Sequence, residues 1–251
     1  MASDRPLDGR VAVILGGAGG VGSATARRLA PEGARVVLTY RGDGARAARV
    51  LESLEGPGHF AEPAEVDRSE TLTYLAEMVR ARCGRADILV NAAGFTKAVP
   101  HADLDALDDA LIDRLFQVNW RGSFAAIRAF APLLREGGEG LAVNISSIAG
   151  FTGVGSNVAY CAAKAGIDVM TKSLARALAP EIRVMAVSPG VVDTDFVPGR
   201  DAAFNEKVAR SIPLKRIATP EDIADAVFAC AASLRYATGS ILVLDGGRAL
   251  V

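Results

Sequence analysis

The chain has 251 residues, half of them apolar and 23% charged, with a formal net charge of −1. Such a composition supports a globular core and offers no bulk attraction to nucleic acid or to an anionic membrane. Three scattered cysteines, Cys83, Cys161 and Cys230, show no CxxC or Cys/His spacing, which argues against a disulfide framework and a structural metal site and suits a reducing cytoplasm.

Residues 1–9 are polar and lack the apolar centre of a signal peptide, and no later stretch is long and apolar enough for a membrane span. Residues 11–15 (VAVIL) form a continuous apolar run, the pattern of a strand buried on both faces. A glycine-rich turn leads from it into a helical pattern over 21–30. Strand and helix then alternate: strand 35–39, helix 45–55, a weaker strand 59–66 interrupted by Pro63, helix 69–82, strand 87–91, a long helix from about 108 to 135, strand 141–146, helix 158–178, strand 182–187, helix 220–234 and strand 240–244. Thr219 is the expected N-cap of the last helix, with Pro220 in its first turn. This alternation predicts one doubly wound α/β domain over residues 1–251, with seven parallel strands and helices on both faces. Residues 191–215 break the rhythm, with Pro198, Gly199 and Pro213 around a weak helical segment. A long excursion after the sixth strand is expected to be a substrate lid.

The turn Gly16-Gly17-Ala18-Gly19-Gly20-Val21-Gly22 follows the first strand and opens the first helix. Glycines there let the backbone approach a pyrophosphate, and the helix N-terminus offers free N–H groups. Two spacings fit the run, Gly17-x-Gly19-x-x-Gly22 and Gly16-x-x-x-Gly20-x-Gly22. At the end of the second strand, an acid favours NAD and a nearby arginine accommodates the 2′-phosphate of NADP. Tyr40 stands at that position and Arg41 follows it, with Asp43 beyond Gly42 as the rival acid. NADP(H) is therefore favoured, and NAD(H) stays open.

Tyr160 and Lys164 lie four apart near the start of an apolar helix, and so share one face. A free phenol has a pKa of about 10, and a cation held beside it favours the phenolate. Ser146 and Ser147 end the preceding strand, at the rim where parallel sheets bind ligands.

With Gly16-x-x-x-Gly20-x-Gly22, Asn91-Ala92-Ala93-Gly94, Val118-Asn119, Ser147, Tyr160-x-x-x-Lys164 and Pro189-Gly190 in order on alternating elements, the chain resembles the short-chain dehydrogenase/reductases. It is similar over nearly its whole length to bacterial 3-oxoacyl-acyl-carrier-protein reductases. The resemblance implies a Rossmann fold and selects the second glycine spacing. It implies that Tyr160 exchanges the proton with the carbonyl oxygen and that Lys164 lowers the tyrosine pKa and bonds the nicotinamide ribose. Ser147 would orient the carbonyl, with Ser146 turned inward, and Asn119 would hold a water beside Lys164. Gly16, Gly20, Val21, Gly22, Tyr40, Arg41, Asn91, Gly94, Pro189, Gly190, Val192 and Thr194 would line the cofactor. Asp67 would either hold the adenine or cap the third helix. The sequence departs from the family pattern at Leu15, where Thr is usual, at Ala92, where a second Asn is usual, and at Gly19, where many NADP-preferring members carry a basic residue.

These roles imply hydride transfer between NADP(H) and a ketone/secondary alcohol pair, with 3-oxoacyl thioester reduction among the options and a small-molecule or acyl-carrier-bound substrate as partner. An NAD-dependent alcohol, sugar or steroid dehydrogenase is the nearest alternative, and a non-catalytic cofactor-binding sensor is one of another class. The family also implies a homotetramer, with one interface built from the long helix carrying Trp120 and Phe124 and the Tyr160 helix, and a second joined by the segment Asp245-Gly246-Gly247. Phe95, Phe151, Phe196 and Phe204 point to an apolar substrate pocket; Lys97 and Arg200 could meet an acidic carrier or a carboxylate, or be solvated surface charges. His59 and His101 read as isolated surface residues. The acids Asp103, Asp105, Asp108 and Asp109 read as a solvated helix start rather than a metal site.

Overall fold

In the computed structural model, which describes residues 5–42, 44–199 and 201–251, the alternation becomes seven strands. They are β1 (Val11–Leu15), β2 (Arg35–Tyr40), β3 (Phe60–Pro63), β4 (Ile88–Asn91), β5 (Gly140–Ile145), β6 (Ile182–Pro189) and β7 (Ile241–Leu244). All pair in parallel, in the order β3-β2-β1-β4-β5-β6-β7. The winding reverses between β1 and β4, and the space beyond their C-terminal ends is the ligand position of doubly wound sheets. Asp87 pins this junction: its buried carboxylate accepts the Val11 N–H at 2.8 Å and pairs with Arg85.

Alternate strand residues feed two cores. Val11, Val13 and Leu15 face α3 (Ser69–Cys83), α5 (Gly122–Glu136) and α7 (Val158–Leu178). Ala12 and Ile14 face the opposite layer, formed by α1 (Gly20–Leu29), α2 (Ala45–Glu52) and α9 (Pro220–Ala232). Burial on both faces is why the central strands are mostly apolar. Each fully buried Leu or Ile stabilises this arrangement by roughly 2 kcal/mol. Thr219 caps α9 as its sequence predicts, in a reciprocal capping box with Asp222.

Several boundaries differ from expectation. β3 covers only Phe60–Pro63, inside the expected 59–66. It is an edge strand, so Pro63 needs no ladder partner on its outer side. The long helix is continuous in path but not in hydrogen bonding: α4 (Asp109–Leu115) passes through a π-turn, Phe116–Arg121, into α5. The π-turn contains Asn119, and such bulges concentrate at functional sites. Two further helices appear, the four-residue α6 (Ala149–Thr152) and α8 (Ala202–Ser211) within the expected lid. This segment is tied at its base, where Val192 bridges Ala218 and Asp193 N–H donates to the Ala218 carbonyl. No residue of α8 is buried. His59 is not an isolated surface residue: its Nδ1 accepts the Val36 N–H at 2.9 Å and its Nε2 lies 2.8 Å from the Glu55 carbonyl. The acids near residue 108 do start a helix, with Asp108 accepting from Leu111 N–H. Among the described residues, no helix is long and apolar enough to cross a membrane.

Candidate active site

One cleft of about 1090 Å³ runs along the C-terminal ends of the strands, from Tyr40 and Arg41 past the glycine turn to Tyr160 and the lid. Backbone geometry fixes the glycines. A Cβ on Gly22 would stand 2.2 Å from the Gly16 carbonyl oxygen, and one on Gly20 would stand 2.6 Å from Thr194 Cγ2. Gly16 has φ +72° and lies against the Ala93 backbone. The turn is closed by Gly19 N–H on the Gly16 carbonyl and is tethered to β2, where Thr39 Oγ1 accepts the Gly16 N–H at 3.0 Å. Leu15 supplies no hydroxyl here, and Thr39 gives the loop one from the neighbouring strand. The shape that results, a bare backbone floor opening onto the N-terminus of α1, fits a dinucleotide pyrophosphate.

At the end of β2, Tyr40 and Arg41 line the cleft, and the Tyr40 ring packs over Gly44. A second cation, Arg46 on α2, lines the same end and was not anticipated. Its sequence signal was an arginine in the first turn of the helix after β2. Asp43 and Arg200 lie outside the described residues. Asp67 lines the cleft, with Arg114 4.0 Å from its carboxylate. It does not cap α3, whose N-cap position is Arg68. Of the two expectations for Asp67, capping is the one overturned.

Tyr160 and Lys164 both line the cleft and are both nearly buried. The ammonium stands 5.6 Å from the Tyr160 ring centroid and donates to the Ile145 carbonyl at 2.7 Å. Burial draws the Lys164 pKa down from 10.5 to about 8, opposed by the negative charge of Asp168 one turn later. Burial raises the Asp168 carboxyl, against the Ser146 hydroxyl and the charges of Lys172 and Lys164. Ser146 and Ser147 both line the cleft, with the Ser146 hydroxyl directed inward to the Lys164 carbonyl at 3.3 Å. The start of α7 is set by Asn157, a fully buried residue that sequence reasoning missed. Its Oδ1 accepts the Tyr160 N–H at 2.6 Å and its Nδ2 donates to the Lys97 carbonyl at 2.8 Å. An Asn three residues before the tyrosine was the readable N-cap signal.

Asn119 and Asn91 stand behind the cleft wall rather than in it. Asn119 is fully buried: Nδ2 donates to the Phe95 and Leu115 carbonyls, and Oδ1 accepts from Phe95 N–H. Its side chain thus holds the segment after β4. Asn91 donates to Asn144 Oδ1, and Asn144 in turn donates to Thr171. The wall beside β4 is made by Ala92, Ala93 and Gly94. Pro189, Gly190, Val192 and Thr194 line it opposite, with the Pro189 carbonyl accepting from Ile148 N–H and Gly190 N–H bound to the Leu244 carbonyl. Gly20, Val21 and Gly22 complete the floor.

The far end of the cleft is apolar. Phe95, Phe196 and Phe204 line it, and the Phe196 ring sits 6.1 Å from that of Tyr160. Phe151 does not line it and is 54% exposed, so it drops out of the expected pocket. Lys97 also drops out, its side chain being exposed and absent from the lining. His101 joins the lining, its Nε2 3.2 Å from the Gly155 carbonyl. Trp120 packs as expected, stacked on Phe124 and donating to the Gly166 carbonyl.

A family model described as enoyl-(acyl carrier protein) reductase matches residues 16–249. The chain is 37% identical to cis-4-hydroxycyclohexanecarboxylate dehydrogenase of Sinomonas cyclohexanicum, covering 95% of this chain and 96% of that one. It is 34% identical to a 3-oxoacyl-acyl-carrier-protein reductase of Aquifex aeolicus, covering 96% and 98%. A crystal structure from Burkholderia xenovorans, described as a short-chain dehydrogenase/reductase, superposes with a TM-score of 0.90 at 36% identity, over 96% of this chain and 98% of that one. The protein belongs to the short-chain dehydrogenase/reductase family and is an NAD(P)-dependent oxidoreductase.

Proposed function

We propose that the protein reduces a ketone to a secondary alcohol with NADPH, with Tyr160 as the proton donor and Lys164 and Ser147 as its partners. The observation that carries this is the Tyr160–Lys164 pair in one cleft with the glycine floor, the ammonium buried 5.6 Å from the phenol ring centroid. The bound nicotinamide supplies the hydride. Tyr160 gives its hydroxyl proton to the carbonyl oxygen, and the adjacent ammonium stabilises the phenolate that remains. Ser147 donates to the same oxygen and orients the carbonyl. Lys164, anchored on the Ile145 carbonyl, retains further N–H donors for the nicotinamide ribose. Asn119 positions the Phe95 segment that walls the site.

The preference for NADPH rests on Arg41 and Arg46 at the end of β2, two cations suited to a 2′-phosphate. Gly16, Gly20, Val21 and Gly22 hold the pyrophosphate, with Tyr40 and Asp67 at the adenosine end. Ala93 and Gly94 lie against the cofactor's middle, with Asn91 bracing that wall from behind. Pro189, Gly190, Val192 and Thr194 place the nicotinamide. Residues 191–215 act as the lid of a single domain, with Phe196 over the reacting carbonyl. The enzyme works in the cytoplasm as a homotetramer on a small-molecule carbonyl, free or carried as a 3-oxoacyl thioester. The ketone panel that tests this is run with NADPH and NADH side by side. Turnover with NADPH at least about tenfold more efficient than with NADH is the expected result, given a charge-assisted contact to the 2′-phosphate. Binding of cofactor with no turnover of any ketone or alcohol would overturn it in favour of a sensor.

A further inference from the structure

Arg248 stands out in the cleft. It opens the short turn Arg248–Leu250 after β7 and lines the same cleft as Tyr160 and Phe204. Its Nη1 is buried and has no hydrogen-bond partner. A guanidinium partly withdrawn from water without a protein acceptor is costly, and an anion meeting the part of it that lines the cleft offsets that cost. No carboxylate of the described residues pairs with it. The nearest acid in sequence, Asp245, is committed elsewhere: Oδ1 accepts from Gly247 N–H at 2.8 Å and Oδ2 from Ala249 N–H at 2.7 Å. Those bonds fix the turn that presents Arg248. The turn is also clamped against the return of the lid, because Gly246 and Gly247, both at positive φ, leave room only for Ile212 and Pro213. Arg248 therefore sits on a fixed turn packed against the end of the exposed α8 segment.

The surroundings narrow the ligand. Apart from Tyr160 and Lys164, the ionisable side chains lining the substrate half are His101, Asp195 and Arg248 among the described residues, and the rest of that wall is dominated by Phe95, Phe196 and Phe204. Arg41 and Arg46 lie at the opposite, adenosine end. A single guanidinium in an apolar wall matches one carboxylate, which it can meet with two parallel N–H bonds. A phosphate dianion calls for more than one cation.

We propose that Arg248 receives a carboxylate of the substrate, which makes the substrate a keto acid, or the matching hydroxy acid, with an apolar body between the carbonyl and the carboxylate. This rests on the assignment of Tyr160 as the proton donor, since that residue fixes where the carbonyl lies. Arg248 then selects substrates by charge and sets the distance between the two oxygen functions.

The test uses straight-chain keto acids with the ketone set progressively further from the carboxylate, and the methyl ester of each. The ratio of acid to ester kcat/KM is measured for the wild type, Arg248→Gln and Arg248→Lys with NADPH, with melting temperatures to confirm folding. The wild type is expected to prefer one or two acid lengths, and Arg248→Gln to lower the acid-to-ester ratio by about tenfold to a hundredfold, the worth of a charge-assisted hydrogen bond. Arg248→Lys is expected to fall between. Calorimetric binding of the same acids to cofactor-loaded Tyr160→Phe, with and without Arg248→Gln, gives a readout free of turnover. Acids that bind no better than their esters, or an Arg248→Gln change that weakens acid and ester equally, would overturn the proposal. Arg248-dependent acid binding with no turnover of any ketone would leave it standing and defeat the oxidoreductase mechanism instead.

Discussion

Asn157 holds the amide of Tyr160 at 2.6 Å and the carbonyl of Lys97 at 2.8 Å, so one buried side chain joins the start of α7 to the segment after β4. Asn157→Ala is expected to destabilise the fold by about 1–3 kcal/mol, combining a lost cap with a lost hydrogen bond to the Lys97 carbonyl. It should also lower kcat more than it raises KM. Asn157→Ser restores the cap acceptor but not the reach to Lys97, and is expected to recover part of the stability. Urea unfolding and steady-state kinetics on the two variants check this; equal losses would show that the cap is not what matters.

Lys164 gives a pH signature with a definite sign. The unfolded chain keeps this proton up to about 10.5, whereas the folded protein releases it at about 8. Between those values the unfolded state binds more protons, so folded stability rises with pH; below about 8 the full cost of burying the charge is present. Lys164→Met removes this dependence. The cofactor-free wild type is therefore expected to gain stability relative to Lys164→Met as pH rises from about 8 towards 10.5. Urea midpoints for both proteins across that range measure it, and parallel curves would contradict the assigned burial cost.

Gly22 cannot carry a side chain without displacing the Gly16 carbonyl, only 2.2 Å from its Cβ position. Gly22→Ala is expected to weaken cofactor binding by at least about thirtyfold, roughly 2 kcal/mol. Gly19→Ala, whose Cβ would stand 3.2 Å from the same oxygen, is expected to do less. Fluorescence titration with NADPH distinguishes them, and equal affinities for the two variants would be inconsistent with the floor described.

Arg41 and Arg46 line the adenosine end together. Arg41→Ala and Arg46→Ala are each expected to weaken NADPH by about tenfold while changing NADH little, as loss of one charge-assisted phosphate contact would. Equal effects on the two cofactors would remove the basis for the NADPH preference.

The sheet was readable because its central strands are apolar on both faces and alternate with helical periodicity. β3 was the weakest, since Pro63 and Glu62 at a sheet edge resemble a loop. Tyr160 and Lys164 were readable as a pair sharing one helix face and Ser147 through the family resemblance, and all three line one cleft. The directions of Asn119 and Asn91 were not readable. A motif fixes which residue is present but not whether its amide meets backbone or ligand, and here backbone carbonyls and Asn144 claim them. The π-turn was equally hidden, because one extra residue in a helical turn leaves the apolar pattern almost unchanged. Arg248 was overlooked because its role depends on the fold bringing β7 beside the lid.

The central claim is that Tyr160 transfers the proton. Tyr160→Phe removes only the hydroxyl and keeps the ring that packs beside Phe196. The initial rate of ketone-dependent NADPH oxidation is expected to fall by about a thousandfold or more, within the range of general acid catalysis, while calorimetry shows NADPH still bound. Near-wild-type turnover in this variant would contradict the account.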